Sequence, residues 1–413
     1  MKAAVKGGIA LIILIVLIII LWTAFWFYAE NHLKQAVEAK IANLNKSGVE
    51  SVSYARITTS SSPLVVSVKL VDPVLTIAIP QEQPIIIHAP YAGAALSLLH
   101  PLTLKGQVPL RMDVLVGQNQ GAITFARVVD IGTLAPGVWW GDFSNPITHT
   151  QQDFSDIQLL GSNGSMALAR IGTLNIDETV HTPTTAQQSA VTIHVAMAGL
   201  QVAAPFTQLL RLPFNGEITQ LNTAFTASGP FDMVAFDKQF KQLAPQDRGK
   251  FFFTQLHQWA STGGHALWTM TLIMGPSTLN SALTLGFDKQ AQPDVSLNVT
   301  ANHLDQFSTS FISAYPQATN QINLLQAQLA PYLTNTTEGG RVLGLHVVLN
   351  SNGAFVNGTR TENAPNEPII DWKTLETTGD FPDDALAAPT APGDGSGAAL
   401  PPQNTAPPAS ATP

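Results

Sequence analysis

The chain has 413 residues and no cysteine, which excludes a disulfide framework, a thiolate nucleophile and any cysteine-based metal site. Lys and Arg number 20 against 28 Asp and Glu, a net charge of −8, and only 12% of residues are charged. Nucleic acid and anionic lipid head groups are therefore poor electrostatic partners.

Between Lys6 and Glu30 no side chain is charged, and Ile9 to Ala29 is almost wholly aliphatic or aromatic. As a helix rising about 1.5 Å per residue, this run spans roughly 31 Å, the thickness of a bilayer's hydrocarbon core. It predicts a transmembrane anchor over residues 9–29 behind a cytoplasmic tail at 1–8. Trp22, Trp26 and Tyr28 are placed as its interfacial aromatics. Bulky aromatics stand where a signal peptidase needs small residues, so the span reads as an uncleaved signal anchor. The short tail before it favours an exported body.

An amphipathic helix follows at 30–47, with Leu33, Val37, Ile41 and Leu44 on one face and Gly48 as its left-handed cap. The chain then turns β. Leu64–Leu70 and Val74–Ile79 are strands parted by Asp72-Pro73, and Ile85–Ile87 is a further apolar run. Three segments share one plan: Val114–Arg127, Ile157–Arg170 and His346–Arg360. Each joins an apolar strand to a Gly/Asn/Ser/Gln turn and an alternating strand ending in arginine, the chemistry of a β-hairpin. Leu283–Phe287 and Val295–Val299 repeat it around Asp288–Asp294.

Helices interrupt the strands. Phe236, Phe240 and Leu243 share a face, as do Phe252, Leu256 and Trp259, with Ala244-Pro245 between them. A later segment uses Leu304, Phe307 and Phe311, then Ile322, Leu325 and Leu329. The body predicted over 48–380 is thus β-rich, and residues 381–413, rich in Pro and Ala and without Lys or Arg, read as a disordered tail. The fold class expected is α+β, mainly antiparallel β. One N-terminal transmembrane helix leads into a long curved β-meander with a few amphipathic helices packed on it. About 15–18 strands at about 4.8 Å each would make a sheet of roughly 70–90 Å.

Signatures of chemistry are scarce. The sequence contains no His-Glu-x-x-His, Walker loop or Gly-x-Ser-x-Gly elbow. His181, His194, Asp177 and Glu178 are loosely spaced, and Asp232, Asp237 and Asp247 mark no carboxylate pair. No catalytic residue, metal site or cofactor is assigned, and the chain is not expected to be an enzyme. Trp139-Trp140 could stack a sugar, lie on a membrane or cover a sheet edge. The helix faces carrying Phe236, Phe240, Phe252, Leu256 and Trp259 are the candidate lining for an apolar ligand.

The layout resembles a known family. An apolar anchor enters the helix AENHLKQAVEAKIANL, then a strand pair split by Asp72-Pro73 (VSVKLVDPVLTI) and His88-Ala89-Pro90. ITQLNTAFTASGPF at 218–231 and the closing pair LGLHVVLNSNGAFVNG come far downstream. This is similar to the uncharacterised bacterial envelope family catalogued as domain of unknown function twenty-one twenty-five, over most of residues 10–372. The resemblance implies no activity and transfers no functional residue. A broad similarity to AsmA-type envelope proteins implies, by analogy, an inner-membrane, single-pass protein with its body in the periplasm and a lipid or envelope-maintenance role. Its partners would be the inner membrane, a lipid and envelope proteins. A periplasmic scaffold or adaptor without ligand is the alternative.

Overall fold

Proline placement decides where the first strands break. The computed structural model describes residues 27–379 apart from residues 32, 39–40, 43, 46–49, 60–61, 63, 80–82, 141–146, 162–163, 165, 182–184, 186–187, 210, 336–340 and 366. β1 (Glu50–Ser53) and β2 (Arg56–Thr59) pair with β4 (Val74–Ile77) and β3 (Val65–Val71) in one uninterrupted register: Ser53 faces Val74 and Arg56 faces Val71. The break falls at Asp72 (φ 49°) and Pro73, where a missing N–H cannot continue the ladder. β5 (Ile85–His88) and β6 (Tyr91–Ser97) break alike at Ala89-Pro90, and β7 (His100–Gln107) and β8 (Arg111–Val116) at Pro109. Hydrogen bonds bridge the breaks, Ala89 N–H to Pro73 O at 3.1 Å and Asp72 N–H to Pro90 O at 3.2 Å. Each such pair is therefore one long strand with a crease in its middle.

The crease runs on into later strands. β9 (Asn119–Thr124) and β10 (Arg127–Leu134) both pair along β11 (Ile147–Leu160), whose Asp156 takes φ 48° where they part. Opposite lie Gly172 of β12 (Ala167–Val180) and, beyond it, Gly199 (φ 69°) of β13 (Ser189–Val202). From there β14 (Ile218–Ser228), β15 (His265–Met274), β16 (Ser277–Phe287), β17 (Pro293–Asn302) and β19 (Arg341–Asn350) add in turn, all antiparallel. β18 (Leu333–Asn335) and β20 (Gly353–Val356) share β19's outer edge, and β21 (Thr359–Glu362) closes the series. Among the described residues, all the strands belong to one 21-stranded sheet. The three hairpins expected from turn chemistry are present, with Gly117 (φ 61°) and Gly353 (φ 123°) supplying the positive φ those turns need.

Helices cover the sheet at its ends. α1 is helical at the described residues between 27 and 45. Its Ala29 is buried with Val66, Leu96, Leu98 and Leu134, flanked by Leu33, Leu104, Trp139 and Ile147. Its Asn45 brackets β1, donating to Val52 O at 3.0 Å and accepting from Val52 N–H at 2.6 Å. α2 (Ala204–Leu209) joins β13 to β14, and α3 (Met233–Gln242) and α4 (Pro245–Ser261) join β14 to β15. Asp232 caps α3 through Ala235 N–H at 2.9 Å, and Pro245 opens α4, where its absent donor costs nothing. α5 (Leu304–Ala314) and α6 (Thr319–Leu329) precede β18. α7 (Trp372–Thr378) returns to α4.

A second core forms there from Phe253, Ala260, Ala291, Trp372 and Leu375, with Leu256, Phe287 and Ile370 around it. The anchor expected at residues 9–29 lies outside the described residues except for its last three positions. Gly48 and the tail at 381–413 lie outside them as well. Among the described residues no helix is long and apolar enough to cross a membrane.

Candidate functional site

In a strand, alternate side chains point to opposite faces, and residues paired across the ladder share a face. Applied to the registers from β11 to β19, this rule separates the sheet into two chemically distinct surfaces. Phe154 pairs with Leu174, Leu174 with Met197, and Met197 with Leu221. Leu221 pairs with Leu272, Leu272 with Leu279, Leu279 with Ala301, and Ala301 with Leu343. A parallel row runs Ile193, Phe225, Trp268, Leu283, Leu297, Val347. At about 4.8 Å per spacing, the seven spacings from β11 to β19 make an apolar strip roughly 34 Å long.

The reverse face is polar, with Asp153, Asn175, Asp177, His194, Asn222, Thr271, Asn280, Thr300, Asn298 and His346. Its groups bond to one another across strands. Asn175 donates to Asp153 at 2.7 Å, Thr271 to Asn280 at 2.9 Å, and Ser296 and His346 meet at 3.1 Å. His149 lies 3.6 Å from Asp177 and 3.0 Å from Thr179, and Asp177 pairs in register with His194. Among the described residues no group of three His, Asp or Glu could hold a metal ion. His149, Asp177 and His194 therefore read as polar-face neighbours.

α4 and α5 border the apolar face at opposite ends of its strands, and the row between them is open. At one end Trp259 of α4 packs on Phe287 at 5.6 Å and donates its Nε1–H to Ser228 O at 2.9 Å. At the other, Leu304 and Phe307 of α5 cover Leu272, Leu279 and Ala301 around a void of about 40 Å³. In the middle, Phe225 and Trp268 are 37% and 38% exposed, although both lie on the apolar face. Trp268 satisfies its one donor on Thr223, 2.7 Å away on the same face, which leaves the ring surface apolar.

Beyond α5's end the strip meets a wider, half-polar cleft of about 720 Å³ lined by Arg211, Phe214, Asn215, Asp305 and Ser310, among others. Arg211, Phe214 and Asn215 all take positive φ (50°, 49° and 53°). Phe214 N–H is held by Ser310 Oγ at 2.7 Å, which fixes this strained segment against α5.

The residues expected to line a ligand site divide into two groups. Phe236 stacks with Phe240 (5.5 Å) and Phe251 (5.4 Å) and meets Phe252 edge-on (6.3 Å), an aromatic group joining α3 to α4 with Phe252 41% exposed. Leu256 and Trp259 instead face the core beneath α4. Of the interfacial aromatics, Trp22 and Trp26 lie outside the described residues, and Tyr28 donates to Trp139 O at 3.4 Å. Trp139 packs on the α1 core and donates to Pro101 O at 3.1 Å. Asp232 is a helix cap, and Asp247 sits in α4's first turn.

Asp130 interrupts the apolar face near β11. It projects over Gly106, where any Cβ would overlap its carboxyl. Burial pushes its pKa up, against a smaller opposing effect of the hydrogen bond from Gln152 at 3.4 Å. A carboxyl whose pKa rises on folding loses stability as pH climbs from the unfolded value through the folded one. Asp130→Asn keeps the acceptor for Gln152 and removes the charge. Its urea midpoint should exceed that of the parent at pH 7 and converge with it below the ordinary carboxylate range. Equal midpoints at both pH values would show that the carboxyl carries no burial penalty. Asp156, at the crease, is shifted the other way by its hydrogen bond from Arg170 at 2.6 Å.

A protein-family model described as "Uncharacterized protein conserved in bacteria" (DUF2125) matches residues 26–359. The chain belongs to this family. The match takes in the whole sheet through the first residue of β21 and stops before α7, so the second core combines family residues with a helix outside the matched span. No curated protein matches the chain.

Proposed function

We propose that this DUF2125 protein is a single-pass envelope protein of bacteria that holds an acyl chain, or a ligand of the same apolar character, on the open strip of its sheet. The carrying observation is the apolar row from Ile193 through Phe225, Trp268, Leu283 and Leu297 to Val347, with Phe225 and Trp268 more than a third exposed within it. Large aromatics placed on an extended apolar face and left in contact with water mark surfaces that a partner covers. The uncovered row from Ile193 to Val347 crosses the five spacings from β13 to β19, roughly 24 Å at about 4.8 Å each, which exceeds one leaflet's half of the roughly 30 Å hydrocarbon thickness, so one lipid chain fits along it. The apolar run at 9–29 supports anchoring beside a lipid source.

The strip itself has no arginine or lysine, so the ligand is selected by its chain rather than by its head group. Titration of the full-length protein in detergent with fluorescent acyl probes tests this reading. Binding should be saturable and barely change between low and high salt. A strong salt dependence would move recognition to the Arg211 cleft.

A further inference from the structure

The end of the sheet from which α1 starts carries apolar side chains that the acyl strip does not use. Phe27 is 60%, Tyr28 44%, Leu64 49% and Leu99 64% exposed. They are neighbours through short links. Leu98 N–H bonds to Leu64 O at 3.0 Å, which sets Leu99 beside Leu64 in the β6–β7 turn. Trp139 Nε1–H bonds to Pro101 O, two residues past Leu99, and Trp139 O accepts from Tyr28. Ala29, only 1% exposed, is part of the adjoining core. The apolar run therefore enters the body without a spacer: its final residue is already packed on Val66, Leu96 and Leu134. α1 is directed away from this sheet end, since Asn45 reaches β1.

We propose that this end of the body, with Leu64 and Leu99 at its tip, sits in the interfacial layer of the bilayer that the anchor spans. The proposal rests on the anchored reading above. A helix clamped at Ala29 cannot hold the body at a distance from its own span, so the residues around the clamp meet the membrane surface. Exposed leucines and aromatics suit that layer, in which an aqueous surface would gain nothing from them. The docking sets the strands upright on the membrane, with the side of the strip that α4 borders turned toward the lipid source.

The absence of native cysteine makes the test direct. Full-length protein carrying Leu64→Cys, Leu99→Cys or, at the far end of β11, Leu159→Cys is spin-labelled and reconstituted into phosphatidylcholine–phosphatidylglycerol vesicles. All three leucines are exposed, so the labels displace no core. Leu159 lies up to about 40 Å along β11 from Ile147, which packs beside the clamp. Labels at 64 and 99 should collide more with oxygen than with a water-soluble nickel chelate, and the label at 159 the reverse. If 64 and 99 behave like 159 while the protein stays with the vesicles through carbonate, docking is wrong and the anchor stands. Release of the protein by carbonate overturns the anchor and the docking together.

Discussion

Replacing Trp372 by alanine should lower the unfolding free energy by about 3–5 kcal/mol, the range for truncating a buried aromatic. Trp372 is 6% exposed in the core beneath α4. Its indole N–H bonds to Ala291 O at 2.9 Å, and its ring stacks on His257 at 4.8 Å with planes 5° apart. The preceding Ile370 exchanges two hydrogen bonds with the Gln292 side chain, at 3.0 and 2.9 Å, and Glu376 meets His257 at 2.9 Å. α7 thus clips the β16–β17 turn to α4 from a point far along the chain. Gly249 lets the two helices touch, since a Cβ there would overlap the Gly379 carbonyl. The urea midpoint of Trp372→Ala should fall at an unchanged m-value. A loss below about 1 kcal/mol, the size expected of a surface change, would mean that α7 is not part of the cooperative core.

The second large effect concerns the strip. Phe225→Glu puts a carboxylate at the centre of the apolar row, under any chain bound there. Burying an unpaired charge costs at least several kcal/mol, so acyl affinity should fall on the order of 100-fold or more. Phe225 is exposed in the unliganded protein, so the fold should survive the change. Thr300→Glu, on the exposed polar face, should leave binding within about twofold, because its charge stays in water. Equal losses in the two variants would mean that affinity tracks net charge, and no loss at Phe225 would place the ligand elsewhere.

Local features of this fold were legible in the sequence, and the juxtapositions were not. The hairpins at Gly117 and Gly353 could be read because turn chemistry is contained in a few residues. The helices around Phe236, Phe252 and Phe307 could be read because a 3.6-residue period is local. α7 has no local signature: Trp-Lys-Thr-Leu-Glu-Thr-Thr is a short, threonine-rich segment of modest helix propensity. It forms because Asp371 caps it, accepting from Thr374 N–H at 3.2 Å, and because Trp372 and Leu375 are buried by residues far away in sequence.

The strip shows the same limit. Phe225 and Leu221 alternate visibly with polar neighbours, but nothing near them reveals that Trp268 and Leu283 continue the row. That depends on strand register, which is a long-range property. The phenylalanines of α3 and α4 are dense in sequence and so predict a lining, but two of the five residues in that set, Leu256 and Trp259, face the core beneath α4.

The most direct test of acyl binding on this face is affinity as a function of chain length. Full-length protein is titrated with a series of fluorescent acyl probes that share one head group and differ by two methylenes per step. A chain lying on the strip gains up to about 0.8 kcal/mol for each methylene fully removed from water. Affinity should rise steadily with chain length, up to the length at which the chain overruns the open row from Ile193 to Val347. Affinity independent of chain length, or no saturable binding while a protein partner is recovered in stoichiometric amount, would contradict acyl binding on this face.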